Sequence, residues 1–139
     1  MQKGYTILEH PSDIGIAAKG SSLAAAFQNA ALGLMSVILD LTSVEAKEVR
    51  ELEITAMDSE HLLVKWLSEI LYLFDGKQFV CKEFVIKELG QTHLLAIIKG
   101  EEFAENKHKT ILDVKAITYH QLLVKNDEEG GLVKVFLDI

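Results

Sequence analysis

The chain has 139 residues, 49% hydrophobic and 25% charged, the make-up of one ordinary globular domain over 1–139 with enough apolar mass for a core without staples. A formal net charge of −7 excludes the basic footprint of a stand-alone nucleic-acid binder, though not a role beside nucleic acid through a basic partner. A single cysteine, Cys81, excludes an internal disulfide framework and suits a reducing compartment.

Met1 to Gly4 leads straight into Tyr5-Thr6-Ile7-Leu8 without a long apolar segment, so no secretory leader is expected. Residues 5–9 read as a strand, His10-Pro11-Ser12-Asp13 as a break, and 14–19 as a second strand. Pro11 holds His10 extended and cannot donate to a ladder. Gly20-Ser21-Ser22 offers a cap for a helix to about Leu39, with Leu23, Phe27, Ala30, Ala31, Leu34 and Ile38 on one face. Residues 20–39 carry no charge, but Gln28, Asn29, Ser36 and the alanines leave too little apolar length for a membrane span. A core helix covered on two sides is expected, and with it a cytoplasmic location.

Residues 47–57 alternate Leu52, Ile54 and Ala56 with Glu51, Glu53 and Thr55, as in a strand with one wet face. Asp58-Ser59 caps a second helix whose apolar face is Leu62, Leu63, Trp66, Leu67, Ile70, Leu71 and Phe74, ended by Gly76. Strands are predicted at 78–88 and 93–100, then a polar irregular stretch over 101–110. A closing hairpin pairs Val114–His120 with Val133–Ile139 across Asn126–Gly131. The order β-β-α-β-α-β-β-β-β gives an α+β fold, two helices against a mostly antiparallel or mixed sheet system.

The familiar chemical motifs are missing or broken. Gly15-Ile16-Ala17-Ala18-Lys19-Gly20-Ser21-Ser22 has the glycine spacing of a phosphate loop, but Ser21 stands where the lysine is needed, so it reads as a turn and a cap. The acidic turn Asn126–Glu129 lacks calcium-loop spacing and reads as a solvated turn. His10, His61, His93, His108 and His120 show no zinc spacing, and Ser36 lacks the second glycine of a nucleophile elbow. Cys81, among Phe79, Val80, Phe84 and Val85, reads as a packed, inert thiol. What remains is a set of carboxylates: Asp13 in the first loop, Asp40 after the first helix, and Asp138 beside the carboxylate of Ile139 at the end of the last strand. Singly, each reads as a solvated acid. Brought together they would repel unless a cation compensated, and hard oxygen ligands favour calcium, magnesium or manganese over zinc.

His10-Pro11-Ser12-Asp13-Ile14-Gly15, followed by Gly20-x-x-Leu23-x-x-Ala26-Phe27-x-x-Ala30-Ala31, resembles the N-terminal signature of the archease family. Gly100-Glu101 through His108, Val114-Lys115-Ala116-Ile117-Thr118-Tyr119-His120 and the ending Leu137-Asp138-Ile139 resemble its C-terminal signature. Pro11-Ser12 departs from the threonine and alanine usual there. The resemblance implies an accessory protein, not itself an enzyme, of the RtcB-type tRNA-splicing RNA ligase. It would promote guanylylation of the ligase histidine, allow multiple turnover and broaden nucleotide use. It also implies a metal site, calcium first, at Asp13, Asp138 and the Ile139 carboxylate, with Asp40 a weaker member. Lys115, His120, His108 and His10 match the signature as partner-contact or activation residues, with a structural role as their alternative. No direct nucleic-acid or membrane contact is expected. Two rival classes are a metal-dependent phosphoester hydrolase, for which no general base stands out, and a general chaperone or adaptor of RNA-processing enzymes.

Overall fold

A computed structural model describes residues 4–9 and 13–139. Strands β1 (Tyr5–Glu9) and β2 (Asp13–Gly20) precede helix α1 (Leu23–Ile38), and β3 (Glu48–Thr55) precedes α2 (Ser59–Asp75). Then follow β4 (Phe79–Leu89), β5 (His93–Glu102), β6 (Ala116–Asp127) and β7 (Gly130–Asp138). This is the predicted element order, but the strands divide into two sheets, β1-β2-β7-β6 and β3-β5-β4. Every strand pairing is antiparallel.

The helices lie between the sheets. α1 touches β1, β2 and β7 of the first sheet and β4 of the second, while α2 touches β6 on one side and β3 and β4 on the other. That two-sided burial explains the charge-free α1, because a charge on either face would be stranded. Its polar residues are each satisfied. Gln28 Oε1 accepts the Ile86 N–H at 2.8 Å, Asn29 Nδ2 donates to the Lys19 carbonyl at 2.7 Å, and Ser36 Oγ donates to the Gly33 carbonyl at 2.7 Å. Ser22 caps α1 by accepting the Ala25 N–H, and Asp58 caps α2 by accepting that of His61. No helix of the described residues is long and apolar enough to cross a membrane.

The core is one cluster drawn from both sheets and both helices. At its centre Trp66 is fully buried, its ring edge-on to Phe84 at 6.0 Å, and its Nε1 donates to the Phe27 carbonyl at 2.9 Å. This bond ties α2 to α1 where neither helix has water to turn to. Cys81 is buried in the same cluster, and burial pushes its thiol up to about 12, so it stays protonated.

Trp66→Phe keeps most of the packing but removes the indole donor that ties α2 to the Phe27 carbonyl, which keeps its bond within α1. It should cost about 0.5–1.5 kcal/mol in urea unfolding with an unchanged slope; an unaltered midpoint would show that this bond does not stabilise the pairing of the two helices.

Candidate functional site

The central pair of the first sheet is β2 and β7. Their register sets Ile14 against Leu137, Ile16 against Val135 and Ala18 against Val133. These residues face the helices. By the two-residue period of a strand the intervening positions share the outer face: Asp13 with Asp138, Gly15 with Phe136 and Ala17 with Lys134. Asp13 is therefore the first residue of β2 rather than a loop residue, and it lies directly opposite Asp138. Side chains so opposed have Cβ atoms about 4.5–5.5 Å apart, and like charges there repel. Neither carboxylate has a hydrogen-bond or ion-pair partner among the described residues.

Phe136 supports this face. It is 2% exposed yet lies outside the main core cluster, because its ring lies across Gly15, where an added Cβ would stand 2.7 Å from Phe136 Cε1. On the other flank β6 pairs Ala116 with Asp138 and Thr118 with Phe136, then slips: Tyr119 through Leu122 have only Val135 opposite them before Leu123 meets Lys134. Gln121, at φ 49°, sits in this bulge. Thr118 Oγ1 donates to the Phe136 carbonyl at 3.0 Å and accepts the His120 N–H at 3.2 Å. The bulge so held turns the His120 ring edge-on to Phe136 at 5.7 Å. His120 is solvent-exposed, as is Lys115, whose N–H donates to the Asp138 carbonyl at 2.8 Å. Asp13, Asp138, Lys115 and His120 thus come to one end of one sheet.

The Ile139 side chain packs against the core and lines a cavity of about 590 Å³ under that end. A larger groove, about 860 Å³, opens around the N-terminal ends of α1 and α2, at the far end of α1. It contains none of the candidate site residues.

Two other residues are engaged elsewhere. Asp40 Oδ1 accepts from the Thr42 N–H at 3.0 Å and its hydroxyl at 2.7 Å, capping a short 3-10 turn over Leu41–Ser43. The backbone bond from Thr42, reinforced by its hydroxyl, holds the Asp40 carboxyl below the usual range. Among the described residues no three His, Cys, Asp or Glu side chains gather as a metal group, so Asp40 does not join Asp13 and Asp138. His108 is 4% exposed. Its Nδ1 accepts the Ala104 N–H at 3.0 Å, which places the proton on Nε2, 2.9 Å from Glu101 Oε2. Its geometry is that of a residue holding the 103–109 loop. His10 lies outside the described residues.

Glu101 was expected in an irregular polar stretch, but it belongs to β5 and is 5% exposed. Burial pushes its carboxyl up, yet the Glu45 N–H, the His108 ring, the Lys107 ammonium and the charge of Lys107 together bring it down to about 2. A carboxyl depressed from an ordinary 4.5 stabilises the fold fully above that value and loses the contribution as pH falls through about 2. Glu101→Gln should therefore melt lower than the parent at pH 7, and the gap should close progressively as the pH is taken from 4.5 towards 2. A gap that stayed constant over that range would show that the charge is not what stabilises the loop.

The sequence reading missed Phe136, Thr118 and Gly15 as supports of the site. The signal was present: Gly15 and Phe136 lie two residues inside Asp13 and Asp138, so strand periodicity puts all four on one face.

Comparison with known proteins agrees with this architecture. The model of the Archease protein family (MTH1598/TM1083) matches residues 5–139. Protein archease of Methanosarcina acetivorans is 38% identical over 141 aligned positions, covering 99% of this chain and 97% of that one. The Pyrococcus abyssi protein of the same name is 40% identical over 132 positions, covering 92% of each. The solution structure of Methanobacterium thermoautotrophicum protein 1598 superposes with a TM-score of 0.84 at 34% identity, covering 99% of this chain and all of that one. A crystal structure from Thermotoga maritima, described as an archease and possible chaperone, shares the fold with a TM-score of 0.58 at 20% identity, covering 95% and 94%. With the family's pattern matched from β1 to the last strand, and with relatives aligned over nearly their whole length, this chain belongs to the archease family.

Proposed function

We propose that this chain is an accessory protein of an RtcB-type RNA ligase, promoting transfer of GMP from GTP onto the ligase's own histidine. Repeated turnover and a wider choice of nucleotide would follow from the same action. Family membership supports the reading, and the observation that carries it is the direct opposition of Asp13 and Asp138 at the end of a rigid strand pair.

Two carboxylates without partners among the described residues form a hard, all-oxygen donor pair, which suits calcium before zinc, with magnesium or manganese as alternatives. Asp13, Asp138 and the Ile139 carboxylate would hold the ion, and the ligase would complete its shell. Such an ion, when bound, neutralises and orients phosphate oxygens. The acidic pair would lead the sheet end into the ligase's nucleotide cleft, its charge speeding encounter with a basic surface. Lys115, exposed and with its N–H on the Asp138 carbonyl, would meet a phosphate. His120, set by the bulge, would contact the ligase from the flank. His108 would act indirectly, by holding the loop that leads to Lys115, and His10 would be a further contact residue, as the family resemblance implies.

In a guanylylation assay with limiting ligase, the parent protein should raise the rate of ligase–GMP formation. Asp13→Asn and Asp138→Asn should lower that stimulation about tenfold or more while keeping the fold, since each removes a repulsion as well as a ligand. Full stimulation by both variants would overturn the acidic-site mechanism. A general chaperone of the kind named for the Thermotoga protein would instead protect unrelated clients with either variant. Calcium alone should raise the melting temperature of the parent, by the equivalent of about 2.7 kcal/mol at a hundredfold excess over its Kd, and leave Asp138→Asn unmoved.

A further inference from the structure

The net charge of −7 is unevenly spread over the two outer faces. On the β3-β5-β4 sheet, strand alternation turns Glu51, Glu53, Glu83 and Glu88 to solvent against Lys99. On β2 and β7 of the other sheet the outward positions inside the acidic pair hold no acid: Gly15, Ala17 and Lys19 on one strand, Phe136, Lys134 and Leu132 on the other. Lys125 of β6 lies opposite Leu132 and completes a row with Lys19. Lys125 is shared with Asp127 at 3.4 Å, but Lys19 and Lys134 have no acidic partner among the described residues. Lys134 is held in place, its ammonium 5.5 Å from the centre of the Phe136 ring. The face therefore runs from two carboxylates at one end, over an aromatic ring, to three lysines at the other.

We infer that this face is a track for a single strand of RNA, whose phosphates meet Lys134, Lys19 and Lys125 while one end is led towards the acidic pair and the cation proposed there. The strand would be the ligase's own substrate, and for that identity the inference rests on the reading above. Length selects a chain over a lone nucleotide. Six residues of β2 separate Asp13 from Lys19, about 20 Å of strand and more than one triphosphate spans. Chemistry selects RNA over an acidic protein segment. Tyr119, 58% exposed in the β6 bulge on the bounding edge strand, offers an aromatic ring for a base. Lysines that hold phosphates, together with an exposed aromatic ring, are the usual means of binding single strands without reading their sequence.

The test is fluorescence anisotropy of a labelled single-stranded RNA oligonucleotide with the full chain, run beside ligase guanylylation without RNA. At low salt the parent should bind, and its Kd should rise with salt at a log–log slope of about 2, the value for about three phosphates. Lys19→Glu and Lys134→Glu should each raise the Kd about tenfold or more and flatten that slope. Tyr119→Ala should raise the Kd about tenfold with the slope kept. Lys99→Glu, on the acidic face, should bind as the parent does, and melting temperatures establish that each variant is folded. Equal losses from Lys99→Glu and the two track variants would reduce the effect to overall charge and overturn the track. Displacement of the RNA by an acidic peptide of equal charge, with Tyr119→Ala binding as the parent, would assign the lysines to a protein segment and overturn RNA as the occupant. A parent that stimulates guanylylation but binds no RNA would overturn the inference and leave the proposed function standing. One that binds RNA along this face without stimulating the ligase would keep the track and overturn that function.

Discussion

The register between β2 and β7 is the constraint on which the remainder of the molecule depends. It brings the front of the chain against its last strand, and it sorts side chains with a period of two. Ile16, Ala18, Val133, Val135 and Leu137 go to the core, and Asp13, Lys134 and Asp138 go outside. A slip of one residue would send the charged set inward against α1. Burying even one unpaired carboxylate costs several kcal/mol, a large fraction of the marginal stability of a domain of this size. The pairing that positions the two acids is thus fixed by the apolar residues between them. The acids need contribute nothing to stability in order to stay opposed.

Around this rigid pair the polar groups act on the parts that apolar packing does not determine. The β6 bulge is one case. Its ladder is broken from Tyr119 to Leu122, and the Thr118 hydroxyl takes up both the Phe136 carbonyl and the His120 N–H on its near side. The 103–109 loop is another. Glu101 collects the Glu45 N–H, the His108 ring and the Lys107 ammonium, a full set for a buried carboxylate. That network fixes where the chain leaves β5, and so where Ile111 and Lys115 arrive. The hairpin into β7 is closed locally, by Asp127 Oδ1 accepting the Glu129 N–H and by Gly130 at a φ of +118°, which a side chain would strain.

These layers were not equally legible in the sequence. Helices α1 and α2, with their Ser22 and Asp58 caps, follow from periodicity and end signals that lie within a few residues of each other. The alternation in β3 was equally plain. Non-local pairing was not: nothing near Asp13 says that its strand lies beside β7 rather than β3, so the split into two sheets and the opposition to Asp138 had to come from the fold. Asp13 was read as a loop residue because Pro11 dominates its surroundings, whereas the ladder with β7 reaches back to include it. Glu101 and His108 read as loop polars because their burial depends on each other. The β6 bulge left no mark either, since Tyr119, His120 and Gln121 are ordinary strand or loop residues. The family resemblance supplied the acids that local reasoning left as solvated side chains.

An opposed pair of carboxylates on a well-ordered strand pair is a locally unfavourable choice. Natural sheets place opposite charges, or none, at such positions, and an asparagine at either would relieve the repulsion without touching the core. Its cost is borne on a closely held strand pair: Phe136 is buried over Gly15, Ile14 and Leu137 face the core, and the Lys115 N–H holds the Asp138 carbonyl. Flexible acids would swing apart and dilute their field. Held ones keep it concentrated at one edge, so that a cation or a basic surface arriving there finds the geometry already formed and loses little entropy in adopting it. In the proposed complex, a positive partner would relieve the repulsion between Asp13 and Asp138, so the opposition that costs the free protein would favour the bound state.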